Sequence, residues 1–219
     1  MSSKANPRSR LRERLWTLLF TLMVTLVFGS GVSFVHVVTQ DRVRVNAAIF
    51  LRRAVRAATG LPKLADSELP AWFDAAVTVV ATNGHYRVAA PEEEQPPVDV
   101  FIRSGAGLWG RIDAAVGVIN SDDGPTLAGV AFLDQNETPG LGARITEDWF
   151  TAQVRGKRGT IRLVPEKTRS EAPDEIDAIT GATVTSTAVR DIFNRVLSQD
   201  AVTRSAIERS TPDGQEERR

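Results

Sequence analysis

The sequence predicts an α+β protein: a single N-terminal transmembrane helix followed by one compact mixed α/β domain with short strands. Three observations carry this expectation. An almost unbroken apolar stretch covers residues 15–38, six short β-like runs follow between residues 76 and 164, and a strongly amphipathic helix begins at Val184.

The apolar stretch contains no Asp, Glu, Lys or Arg. At about 1.5 Å per residue it crosses the roughly 30 Å hydrocarbon layer, and Trp16 sits where an interfacial aromatic belongs. A cleaved signal peptide has an apolar core of about 7–15 residues followed by a small-x-small site. This core is longer, and Val38-Thr39-Gln40-Asp41-Arg42 offers no such site, so a retained anchor is expected. Lys4, Arg8, Arg10, Arg12 and Arg14 precede the span, and Arg42, Arg44, Arg52, Arg53 and Arg56 follow it. The count is a tie, but the tighter leading cluster makes residues 1–14 a basic cytoplasmic N-terminus and puts the soluble domain outside.

Beyond the span, Val43, Ala47, Ala48, Leu51, Ala54 and Val55 recur near helical period, which predicts a helix ending at Thr59-Gly60-Leu61-Pro62. Short runs over 76–80, 86–88, 98–102, 114–119, 127–133 and 160–164 are bounded by Gly, Pro, Asn and Asp and predict a sheet of about five or six strands. Asn83-Gly84-His85-Tyr86 reads as a turn, and residues 91–97 as a solvated loop. Val184, Ala188, Val189, Ile192, Phe193, Val196 and Leu197 then mark the apolar face of a helix. The domain is expected to cover residues 40–199, and the charged stretch 200–219 to fray.

Composition removes several function classes. The 219 residues are 42% hydrophobic and 25% charged, a globular balance, and 27 basic against 27 acidic side chains give no global field that favours nucleic acid. No cysteine is present, which excludes disulfides, thiolate zinc sites, iron–sulfur ligation by this chain and a cysteine nucleophile. Redox chemistry would therefore need a bound cofactor. His36 lies in the apolar span and His85 has no second ligand at useful spacing, so no metal site is expected.

Three segments carry chemistry. Asp177-Ala178-Ile179-Thr180-Gly181-Ala182-Thr183-Val184-Thr185-Ser186 places hydroxyls and a glycine at a helix start, where free N–H groups and the dipole attract a phosphate. On spacing alone, a helix cap at Thr183 is the commoner use of such a segment. Glu137-Thr138-Pro139-Gly140-Leu141-Gly142-Ala143-Arg144 can lay backbone and a leucine against a flat ring, although Pro-Gly alone reads first as a type II turn. Gly105-Ala106-Gly107-Leu108-Trp109-Gly110 leaves Trp109 among residues too small to cover it; a core Trp at a strand entrance is the equal alternative.

Together these segments resemble the FMN-binding domain shared by NqrC of the sodium-pumping NADH:quinone reductase and RnfG of the Rnf ferredoxin:NAD oxidoreductase complex, over about residues 42–196. The resemblance implies flavin mononucleotide (FMN) esterified through its phosphate to Thr185, within a motif formed by Thr180, Gly181, Ala182, Thr183 and Thr185. It implies that Asp177 belongs to the pattern read by the flavin transferase that installs FMN from FAD. It places Glu137, Thr138, Gly140, Leu141, Gly142 and Trp109 beside the flavin, with Arg144 either a positive neighbour or simply exposed. Thr180 and the Thr185-Ser186-x-Ala188-Val189 continuation look more like RnfG, Gly107-Leu108-Trp109 more like NqrC, and the family's His-Lys before the second motif is replaced by Gln135-Asn136.

The implied role is an electron-transfer subunit in the bacterial inner membrane, its domain periplasmic, partnered by membrane subunits of a redox-driven ion-translocating complex, by the transferase and by lipid. Electron relay needs no positioned acid or base, so no catalytic residue is assigned. A free-standing FMN-dependent reductase, noncovalent FMN and a non-redox interaction module are the competing expectations.

Overall fold

A computed structural model describes residues 7–81, 84–90, 96–121 and 124–210, with side chains described over 12–198 of these. Asn83, most of the 91–97 loop and residues 211–219 of the expected tail lie outside the described residues. The chain divides into two units, Met1–Ala48 and Ile49–Arg219.

The described residues of the first unit, from Pro7 on, are helical. Helix α1 (Pro7–Ala58) begins there and its last turns belong to the second unit. No Gly or Pro follows the apolar stretch until Gly60, so nothing breaks the helix at 39–42. Its apolar side chains point outward on every side, with Leu15, Phe20, Leu26, Phe28 and Phe34 all exposed. That pattern suits a hydrocarbon surrounding rather than a packed core, and mean hydropathy reaches 2.1 over an 18-residue window. Thr21 and Thr39 donate their hydroxyls to the carbonyls of Thr17 and Val35, four residues back, so these hydroxyls need no water. The helix is long and apolar enough to cross a membrane.

The second unit is the mixed α/β domain. After α2 (Leu69–Ala76), strands β1 (Val77–Ala81), β2 (His85–Val88), β3 (Val98–Ala106), β4 (Arg111–Ser121) and β5 (Gly124–Asp134) form an antiparallel meander in chain order. A 3-10 turn (Gly142–Thr146) and helix α3 (Asp148–Gln153) follow, then a parallel pair, β6 (Arg162–Val164) and β7 (Glu175–Asp177), and finally α4 (Thr183–Ser210). The expected runs at 114–119 and 127–133 extend to eleven residues each in β4 and β5. Helix α4 continues to Ser210, past the expected domain end at 199.

Both sheet faces are covered. On one, Phe101, Ile112, Ala114, Val116, Val118 and Leu127 pack with Val189, Ile192, Phe193 and Val196 of α4, and with Ile145, Phe150 and Ile176. On the other, Val88, Val100 and Ala115 pack with Ala54, Val55 and Ala58 at the end of α1 and with Trp72 and Phe73 of α2. Alternation along β3 and β4 feeds both cores, as a two-sided sheet requires. Gly60, at φ 78°, releases the chain from α1.

His85 is not in a turn but opens β2, where its ring stacks on Phe101 at 4.3 Å and its Nε2 lies 3.0 Å from Asp99 Oδ1. Burial alone would raise the Asp99 carboxyl, but hydrogen bonds from His85 and Arg87 outweigh it and hold the group below its ordinary value. His85 thus serves a buried polar cluster.

Candidate functional site

Strand directions bring the three sequence segments to one place. The β3–β4 turn and the end of β5 share an edge, because Asp113 pairs with Asp134 in the antiparallel ladder. The loops leaving β6 and β7 share another, because parallel strands end together. Helix α4 starts from the second of these and packs back on β3, its Ile192 and Ala188 approaching Gly105 closely.

Glu137, Thr138, Leu141 and Gly142 from one loop and Gly181, Ala182, Thr183 and Thr185 from the other line a single cleft of about 210 Å³, together with Leu108 and Val184. Gly140, Trp109 and Thr180 lie just outside the lining. The Thr138-Pro139-Gly140-Leu141 turn is closed by the Leu141 N–H donating to the Thr138 carbonyl at 3.1 Å. Gly140 has φ 75°, the left-handed value a type II turn needs at its third position. The turn and the ring-facing roles are therefore compatible: the turn presents Leu141, whose Cδ2 would stand 3.2 Å from a Cβ on Gly181. Gly181, at φ 79°, keeps that contact open.

Trp109 is 68% exposed, not a core residue. It sits on the β3–β4 turn, its indole N–H donating to Thr138 Oγ1 at 3.0 Å and its backbone N–H to Glu137 Oε1 at 3.1 Å. Leu108, Leu141 and Val184 are also exposed. Val184 departs from the expected apolar stripe, because the first turn of α4 lies at the cleft and Thr185 and Ser186 take the inward positions.

The three hydroxyls at the start of α4 are not equivalent. Thr183 is the first helical residue rather than its cap, and is exposed. Ser186 is fully buried and accepts the Ile179 N–H at 3.0 Å, fastening the preceding loop. Thr185, 1% exposed, donates to Glu137 Oε2 at 2.5 Å.

Asp177 is buried at the end of β7, and both its carboxylate oxygens lie 3.1 Å from the Arg169 N–H. Arg144, a candidate neighbour of the flavin, is instead engaged by Glu166, at 2.9 Å from Nη2 to Oε1, and lies 5.2 Å from the Trp149 ring. Glu166 was not singled out by sequence, yet it also accepts the Thr180 N–H at 2.8 Å. It thus ties the end of the Glu137 loop to the loop before α4. Only a pairing across 22 residues, invisible to local periodicity, marks it.

The Arg144 guanidinium, then the Thr180 N–H and hydroxyl, hold the Glu166 carboxyl at about 2, below its ordinary 4.5. A carboxyl lowered on folding stabilises fully above its unfolded value and loses that contribution only as pH falls toward its folded one. The Thr180 amide resonance is therefore expected to show no inflection at 4.5 and to titrate near 2. An inflection at 4.5 in an NMR titration would mean the tie is absent in solution.

Residues 107–198 match the family model for the FMN-binding domain. Over that stretch the chain is similar to FMN-binding domains. Its relatives by sequence include the NqrC protein of the Na(+)-translocating NADH-quinone reductase of Yersinia pestis, 35% identical over 44% of this chain and 38% of that protein. The RnfG protein of the Na(+)-translocating ferredoxin:NAD(+) oxidoreductase complex of Acetobacterium woodii is 41% identical over 41% of this chain and 42% of that protein. The aligned stretch thus spans about two fifths of each relative. The crystal structure of NqrC from Parabacteroides distasonis superposes with a TM-score of 0.60 at 21% identity, covering 80% of this chain and 98% of that one. Shewanella oneidensis NqrC gives 0.57 at 18% identity, over 73% and 97%. The chain therefore shares their fold, and the family match takes in the three segments from Gly107 through Thr185.

Proposed function

We propose that this protein is a membrane-anchored electron-transfer flavoprotein that carries FMN as a phosphoester on Thr185. The observation that carries the reading is a buried hydroxyl bordering a cleft rimmed by exposed Leu108, Leu141 and Val184, with Trp109 beside it. Exposed apolar side chains clustered on a domain mark a binding surface, and here they suit the face of a flat ring. The start of α4 adds the positive end of a helix dipole for the phosphate. At about 210 Å³ the cleft is smaller than the ~300–1,000 Å³ of an enclosing ligand site. A ring held there keeps an edge open to a redox partner.

FMN, when bound, supplies reversible acceptance of electrons. The chain's residues do the rest: Leu141 and Gly181 set the cleft wall, Glu166 ties the two loops that form it, and Thr185 supplies the attachment oxygen. Asp177 contributes to recognition by the flavin transferase through the shape of the 165–169 loop that it anchors.

We assign the domain to the outer, periplasmic side of a bacterial inner membrane, on the basic cluster before residue 15, and its partners to the membrane subunits of a redox-driven ion-translocating complex. An Rnf-type complex is favoured by Thr180 and the Thr185-Ser186-x-Ala188-Val189 continuation. The second reading, a sodium-pumping NADH:quinone reductase, is favoured by Gly107-Leu108-Trp109.

The test is to express the full chain with an active flavin transferase and run it on a denaturing gel under ultraviolet light. A fluorescent band with a mass increment of one FMN is expected. A dark band, beside a control acceptor that the same transferase labels, would remove the covalent reading.

A further inference from the structure

Glu137 is 5% exposed, and among the described residues no Lys, Arg or His pairs with it. A buried carboxylate without a counter-ion is costly unless hydrogen bonds hold it. Its Oε1 accepts the Trp109 N–H at 3.1 Å, and its Oε2 accepts the Thr185 hydroxyl at 2.5 Å. Two glycines clear its place. A Cβ on Gly142 would stand 2.6 Å from both Glu137 Oε2 and Thr185 Oγ1, and a Cβ on Gly107 would overlap Oε1. The carboxylate is thus fixed by the β3–β4 turn and aimed at one oxygen, on a residue that borders the cleft.

We propose that Glu137 is the proton acceptor for esterification of Thr185. The inference rests on the reading of Thr185 as the attachment site, and names the residue that activates it. In the step, Thr185 Oγ forms a bond to the flavin-side phosphorus of FAD, the bond from that phosphorus to the bridging oxygen of the pyrophosphate breaks, and AMP leaves. The hydroxyl proton passes to Glu137 Oε2. A carboxylate that accepts the proton of an attacking hydroxyl is the arrangement protein kinases use for phosphoryl transfer. The transfer has a second consequence. A Glu137 that keeps its charge would face the new phosphodiester as a like charge at contact distance, whereas the protonated acid donates a hydrogen bond to it.

The experiment measures the initial rate of fluorescent labelling of the full chain by transferase and FAD, across pH, for wild type, Glu137→Gln, Glu137→Asp and Thr185→Ala. Glu137→Gln keeps an oxygen for the Trp109 N–H but cannot take a proton. It is expected to label at least about tenfold more slowly at neutral pH, within the range that a positioned base contributes. That deficit should narrow as pH rises and hydroxide takes over the proton. A variant that merely distorts the cleft would show the same ratio to wild type at every pH. Glu137→Asp, which retains a carboxylate, is expected to be slowed but to keep the wild-type pH profile. Glu137→Gln labelling at the wild-type rate, a pH-independent deficit, or an Asp profile matching that of Gln would each overturn the proposal while leaving Thr185 as the attachment site. A dark wild type beside a labelled control acceptor would overturn both, and it is the one outcome in which wild type fails to label.

Discussion

Thr185→Ala is expected to abolish the fluorescent band on a denaturing gel entirely, an all-or-none effect, because no other hydroxyl in the segment occupies its position. Thr183 is exposed at the helix start, so Thr183→Ala should still be labelled. Ser186→Ala removes the acceptor for the buried Ile179 N–H, which leaves that group unsatisfied at a cost of about 1–3 kcal/mol. It is expected to lower thermal stability while leaving the band in place. Thr185→Ser keeps the oxygen and should retain fluorescence. The pattern across the three positions separates a site-specific ester from a flavin held by the cleft as a whole. A Thr185→Ala chain with an undiminished band, its mass still raised by one FMN, would move the attachment elsewhere.

The contrast between these three hydroxyls shows where sequence stops. Segments with a strong local period were legible: the apolar span, the strand runs, and the α4 stripe from Ala188 to Leu197. Eight of the candidate residues that the motifs single out line one cleft. What was not legible depends on distant pairing. Glu166 touches Arg144 and Thr180 only because β6 and β7 run parallel and end together. Val184 fits the helical stripe but lies at its end beside the cleft, where the stripe no longer faces the core. Helix α2 and strand β7 were missed because at eight and three residues they hold too few turns or alternations to show a period. His85 follows the flexible-looking Gly84 yet is buried, since its partner Asp99 lies on the next strand.

Gly117→Ala is expected to be the most damaging single methyl in the domain, although Gly117 is remote from the cleft lining. Its Cβ would overlap the carbonyl oxygen of Ala58, at the last turn of α1, where backbone passes directly over β4. Neither side yields readily. Gly117 is paired with Val100 on β3 and with Gly129 on β5, in the middle of the sheet, and Ala58 is fully buried between Val55 and the sheet. Overpacking a rigid site costs about 1–3 kcal/mol, occasionally more, against a total stability of about 5–15 kcal/mol. For a chain of this size each kcal/mol lowers Tm by about 2–4 °C, so at about 3 kcal/mol, the upper end for an overlap this close, a drop of about 6–12 °C is expected by near-ultraviolet circular dichroism. Gly129→Ala provides the graded comparison, since its Cβ would stand 3.0 Å from the same carbonyl and 3.1 Å from that of Ala57, which small shifts can absorb. Equal Tm values for the two variants would mean that the end of α1 does not rest on β4 as described. The larger loss at Gly117 would show that the turns of α1 from Leu51 to Ala58 are part of the domain's core, packed on the same strands that carry Leu108 and Trp109 to the cleft.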